Sequence, residues 1–143
     1  MSIKHIVFFA LIALSLTPSC KKKTSGGSTP VVPPVQETQI AFRTDPNPGN
    51  NVYTSLSSPF TFQVVLTSTM PAAGISIDIT TKNVANNEAL GSPINYKSSV
   101  ASNNFSIGPL VSGVTYSVTV VVSSQKVSSP LNTATKSFSI KLK

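Results

Sequence analysis

Residues 38–143 are predicted to fold as an all-β, two-sheet sandwich of about seven strands, and three observations predict it. Apolar residues recur at every second position in four separate runs. Period two is the signature of a strand with one face in a core and the other in water. Between the runs lie segments rich in Gly, Pro and Asn, where the chain has to turn. No segment of this region carries a convincing helical spacing of apolar residues.

The elements follow in chain order. Gln39–Phe42 reads as a short strand, and DPNPGNN (Asp45–Asn51) as a turn. Phe60, Phe62, Val64 and Leu66 share one face of the next strand, with Thr61, Gln63 and Thr67 on the other. After the turn MPAAG (Met70–Gly74), Ile75, Ile77 and Ile79 alternate with Ser76, Asp78 and Thr80. The loop VANNEALGSP (Val84–Pro93) leads to two shorter strands, Ile94–Lys97 and Phe105–Ile107. Tyr116, Val118, Val120 and Val122 alternate with Ser117 and Thr119. QKVSSPLN (Gln125–Asn132) turns the chain into a last strand, where Phe138, Ile140 and Leu142 alternate with Ser137, Ser139 and Lys141. Phe60, Phe62, Phe105, Tyr116 and Phe138 are the expected aromatic core. Tyr53 and Tyr96 stand outside any such series and are candidate ligand contacts, with Asn86 and Asn87 of the long loop.

The N-terminal 37 residues have a different character. MSIKHIVFFALIALSLTPSC has a short basic start (Lys4, His5) and an apolar run from Ile6 to Leu16. That run is shorter than the ~20 residues a membrane-spanning helix needs, and it suits the apolar region of a secretory signal. It ends at Cys20, the chain's single cysteine, with Lys21, Lys22 and Lys23 directly after it. This junction resembles the signal of bacterial lipoproteins, in a relaxed form similar to lipoproteins of the Bacteroidota. Thr17 stands where the stricter pattern has Leu. The resemblance implies a signal peptide over residues 1–19 and a diacylglyceryl group on the Cys20 thiol. Each buried CH₂ of such chains is worth about 0.8 kcal/mol, and two or more chains anchor stably. Thr24–Gln36, TSGGSTPVVPPVQ, has no periodic apolar face; its Ser and Gly favour flexibility and its prolines polyproline II. Residues 20–37 therefore read as the lipidated cysteine and a tether that holds the domain off a membrane.

One motif refines the sandwich. Leu110-Val111-Ser112-Gly113-Val114-Thr115-Tyr116 resembles the L-x-P-G-x-x-Y element of fibronectin type III domains, with Ser112 in place of the usual Pro. The resemblance implies an immunoglobulin-like sandwich of the fibronectin type III kind. It also implies a structural corner of Leu110, Gly113 and Tyr116, whose tyrosine hydroxyl bonds back to the backbone at a sheet-to-sheet crossing.

Composition narrows the function. The chain has 11 Lys+Arg against 4 Asp+Glu, a formal charge of +7. Four of the lysines sit in the leader or beside Cys20 and the other basic residues are scattered, so no basic stripe for nucleic acid is formed. One Cys and one His (His5) fall short of a zinc ligand set. Beyond the leader there is no His, and the carboxylates are Glu37, Asp45, Asp78 and Glu88. Asp78 and Glu88 are the one pair whose convergence in a cleft would suit a hydrolase. Asp45, Asn47, Asn50 and Asn51 offer oxygens in one loop, but a single carboxylate makes a poor calcium site. No catalytic residue, metal or cofactor is expected. The expected function is a non-catalytic, membrane-anchored module that binds a protein or glycan at the cell envelope. The alternative is a structural accessory or spacer of an outer-membrane complex. The outer membrane is the expected location, its periplasmic face favoured.

Overall fold

The computed structural model describes residues 36–49, 51–126 and 131–143, which contain eight β-strands and no helix. Cys20, the leader and the tether up to residue 35 lie outside the described residues. The strands are β1 (Phe42–Asp45), β2 (Val52–Ser55), β3 (Phe60–Leu66), β4 (Ile75–Asn83), β5 (Ile94–Ser98), β6 (Ser102–Ile107), β7 (Thr115–Ser124) and β8 (Thr133–Leu142). They form a three-stranded sheet, β1-β3-β6, and a five-stranded sheet, β2-β8-β7-β4-β5. Every pairing is antiparallel except that of β2 with β8. Only β4–β5 and β7–β8 are consecutive strands that pair directly; every other connection crosses from one sheet to the other.

The alternating runs set the register. Ile77 pairs with Val122, Ile79 with Val120 and Thr81 with Val118, while Val118 pairs with Phe138 and Tyr116 with Ile140 across β7 and β8. Ile77, Val118, Val120, Val122 and Ile140 are fully buried. Burying one such aliphatic side chain is worth about 1.5–3 kcal/mol. The two sheets contribute different shapes. The narrow sheet supplies the rings of Phe42, Phe60, Phe62 and Phe105, and the wide sheet mostly β-branched aliphatics. Phe138 of the wide sheet meets Phe62 edge-on at 5.5 Å and Phe60 at 6.4 Å between ring centroids, a geometry that ring quadrupoles favour.

The described residues hold eight strands where about seven are expected, and β1, β2 and β6 differ from the sequence's prediction for local reasons. Gln39–Ala41 is not strand. The Ile40 N–H donates to Asn132 Oδ1 at 2.9 Å and the Ala41 N–H to Ser68 Oγ at 3.1 Å, so side chains replace a partner strand. Strand β1 instead begins at Phe42 and runs to Asp45, into the expected turn. β2 has no apolar alternation to reveal it: Val52 is exposed, and the inward positions are Tyr53 and Ser55. β6 starts three residues before Phe105 because its first inward side chain is Asn103, which is buried yet polar.

Glycine 74 is required where the β3–β4 connection enters the wide sheet. Its φ is +83°, and a Cβ there would lie 2.7 Å from the Ser98 carbonyl oxygen and 2.9 Å from Gln125 Nε2. Gln125 in turn donates its backbone N–H to the Gly74 carbonyl at 3.0 Å and its side-chain amide to the Ile75 carbonyl at 2.8 Å. Gly74→Ala is expected to cost at least about 1–2 kcal/mol from the left-handed backbone alone, with the backbone clash adding to it. Urea unfolding measures this, and an unchanged midpoint would contradict the packing described.

Candidate functional site

The sequence-predicted contact residues are dispersed rather than convergent. Tyr53 is half-buried, not an exposed platform. It pairs with Ile140 and so faces the core, and its ring lies 5.4 Å from that of Phe60. Tyr96 pairs with Ile77 and also faces inward, but from the outermost strand of its sheet, so it stays 48% exposed. Its ring stands edge-on to Phe105 at 5.8 Å and covers the seam between the two sheets. Both tyrosines close open sides of the sandwich.

Asn86 and Asn87 build the β4–β5 connection. Asn86 Nδ2 donates to Glu88 Oε2 at 2.6 Å, and Asn86 Oδ1 accepts the Glu88 N–H at 3.1 Å. Asn87 takes a left-handed φ of 59°, which Asn tolerates better than most residues. The Asn86 amide is therefore engaged within the turn itself.

The carboxylates do not converge. Asp78 lies in the middle of β4 and accepts a hydrogen bond from Asn95 Nδ2 of β5. Glu88 sits beyond the end of β4, where its carbonyl accepts the Asn83 N–H at 2.8 Å. The five residue steps from Asp78 to Asn83 span roughly 16 Å of strand, beyond the ~5–10 Å that paired glycosidase carboxyls need. In the 45–51 loop, Asp45 pairs with Arg43 at 3.5 Å and Asn47 Oδ1 accepts the Gly49 N–H at 3.4 Å, while Asn50 lies outside the described residues. Among the described residues no cluster of three His, Cys, Asp or Glu side chains exists to hold a metal.

Three concave surfaces stand out among the described residues. An apolar cleft of about 430 Å³ lies at the end of the sandwich where the described chain begins, lined by Gln36–Thr38, by Thr69–Ala73 and by Lys126. A second, more open groove of about 450 Å³ lies on the outer face of β1-β3-β6. There Thr61 stands opposite Ser106, and Gln63 stands between Asp45 and Asn104. That set of carboxamides, hydroxyls and one carboxylate can hydrogen-bond a polyhydroxylated or peptidic ligand. The third is a pocket of about 200 Å³ on the seam between β5 and β6. Sequence reasoning missed all three, because each is formed by residues that meet only across strands or loops.

The LVSGVTY segment occupies the β6–β7 crossing between the sheets. Leu110 is buried and its N–H donates to Ser58 Oγ at 2.7 Å. Gly113 has φ +80°, and its N–H donates to the Leu142 carbonyl at 3.1 Å. The ring of Tyr116 is buried, and its hydroxyl accepts the Val111 N–H at 3.2 Å. Tyr116→Phe keeps the ring but removes that acceptor. The expected cost is about 1 kcal/mol, read from chemical denaturation, and an unshifted midpoint would show that the bond contributes nothing. No family model, no curated protein and no solved structure matches this chain.

Proposed function

We propose that this chain is a non-catalytic, lipid-anchored envelope protein that holds one immunoglobulin-like domain off a membrane to bind a protein or glycan. The observation that carries the reading is the coincidence of the single cysteine, Cys20, with the end of a short apolar leader, followed by three lysines and a Ser/Gly/Pro tract. The strand order supports the finer fold assignment. β1-β3-β6 against β2-β8-β7-β4-β5 is the arrangement expected of a fibronectin type III-like sandwich, and the Tyr116 hydroxyl bond lies at the crossing where that family has its corner.

Binding rather than catalysis is favoured by the separation of Asp78 from Glu88 and by the polar groove on the narrow sheet. Its Gln63 and Asn104 amides, beside Thr61, Ser106 and Asp45, suit adaptable polar contact better than bond cleavage. In this reading the outer membrane holds the anchor, with the domain on its periplasmic side.

Cys20→Ser tests the anchor. The substituted chain is expected to take up no labelled fatty acid and to move from the membrane fraction to the soluble fraction after cell disruption. Retention in the lipid fraction with unchanged processing would refute the anchor.

A further inference from the structure

The outer face of the narrow sheet carries a row of polar side chains that the fold itself does not use. Strand register places Asp45, Gln63 and Asn104 side by side on β1, β3 and β6, with Thr61 opposite Ser106 in the next row. All five point away from the core, because Thr44, Phe62, Val64, Asn103 and Phe105 are the buried members of the alternation. Together they line the groove of about 450 Å³. On the outer face of the wide sheet the polar groups bond to one another, Asn95 to Asp78 and Thr119 to Ser137. Among the described residues no side-chain hydrogen bond joins Gln63 to Asn104 or Thr61 to Ser106, although each pair is one strand spacing apart. The row is held in place by a rigid sheet with its hydrogen-bonding groups turned outward.

Charge, chemistry and direction together select a ligand. Arg43 and Asp45 are the only charged side chains in β1, β3 and β6, and they lie 3.5 Å apart on this face. They cancel, so a charged ligand meets no complementary field. The two carboxamides and two hydroxyls each donate and accept hydrogen bonds, as the hydroxyls of a sugar do. A carboxamide also presents its C=O and NH₂ side by side, which matches two adjacent hydroxyls. The row crosses three strands, roughly 10 Å from Asp45 to Asn104, enough for about two linked sugar rings. An extended peptide, by contrast, docks on a sheet edge through main-chain groups that run along a strand.

We infer, on the reading of the domain as a binding module, that this row binds a neutral glycan laid across the narrow sheet. Gln63 holds its centre, Asp45 and Asn104 its two sides, and Thr61 and Ser106 the adjoining hydroxyls. Phe42, Phe60, Phe62 and Phe105 of the same strands are buried and give the sugar no ring to stack on. Binding is therefore weak, with a Kd on the order of 1 mM.

Nuclear magnetic resonance of the isotope-labelled full chain carrying Cys20→Ser, in detergent micelles, tests this. The probes are soluble gluco-, manno-, galacto- and xylo-oligosaccharides, each raised to about 20 mM to cover that affinity, and separately a tryptic digest of casein. At least one sugar series is expected to give saturable shifts, largest at the amides of Thr61–Gln63 and Asn104–Ser106. Gln63→Ala and Asn104→Ala, both on the sheet surface, should each weaken that binding roughly tenfold. Thr119→Ala on the opposite sheet should leave it unchanged. Sugar binding that maps to another surface, or is indifferent to both substitutions, would overturn the site and leave the binding-module reading standing. Shifts of the same amides with the casein digest and with no sugar would give the face to peptide, overturning the glycan but not the module. No saturable response to either class of probe would overturn both.

Discussion

The structure depends on the burial of one inward row, Val118, Val120 and Val122 of β7, in the core that the two sheets share. β7 is the middle strand of the wide sheet, hydrogen-bonded along its length to β4 on one side and β8 on the other. With a single cysteine in the chain, no intramolecular disulfide can restrain the unfolded state. With charged residues at 10%, ion pairs have little to add. Apolar burial therefore carries the fold, and period two is the device that brings it about, because each inward side chain on β7 has a buried neighbour on β4 or β8.

A two-sheet core is open along its sides, and this molecule closes those sides with amphipathic residues. Lys136 occupies an inward position opposite Val120. Though exposed, it places its ammonium 5.8 Å from the centre of the Phe42 ring. Tyr53 covers Phe60, and Tyr96 covers Phe105 with its outer part in water. The Ser98–Asn103 hydrogen bond ties the seam at one level and leaves neither group unpaired. Tyr53 is left half-buried by this closure, whereas Tyr96 keeps 48% of its surface exposed.

The fold class was legible from residues because the four long strands advertise themselves by alternation: Phe60–Leu66, Ile75–Ile79, Tyr116–Val122 and Phe138–Leu142 all bury the expected face. What remained hidden lacks that signal. β2 is four residues with one large inward side chain, and β6 begins with a buried Asn that breaks the pattern yet is satisfied by Ser98 and by the Val100 carbonyl. Its Val-Tyr-Thr composition, between Asn51 and the Ser-rich stretch before Pro59, was the cue available for β2. The candidate surfaces were less legible still. Gln63 meets Asp45 and Asn104 only through strand pairing, and Ile94 faces Ile107 only because the sheets stack. Tyr53 and Tyr96 stood out for want of a series, although each is the inward member of a strand too short to display one.

The two ends of the domain differ in a way that organises the proposed function. One is the end where the described residues begin, and it holds the apolar cleft beside Met70. The other presents Leu56, Val84 and Val111 on three connections cross-linked by backbone bonds to Ser55, Leu142 and Thr115. Both ends rely on the rigidity of the sheets between them, and hence on β7. Native-state hydrogen exchange measures that dependence directly. The Val118, Val120 and Val122 amides are expected to exchange only through global unfolding, while those of the outer strands β2 and β5 exchange orders of magnitude faster through local opening. Exchange of the β7 amides as fast as those of β5 would contradict it.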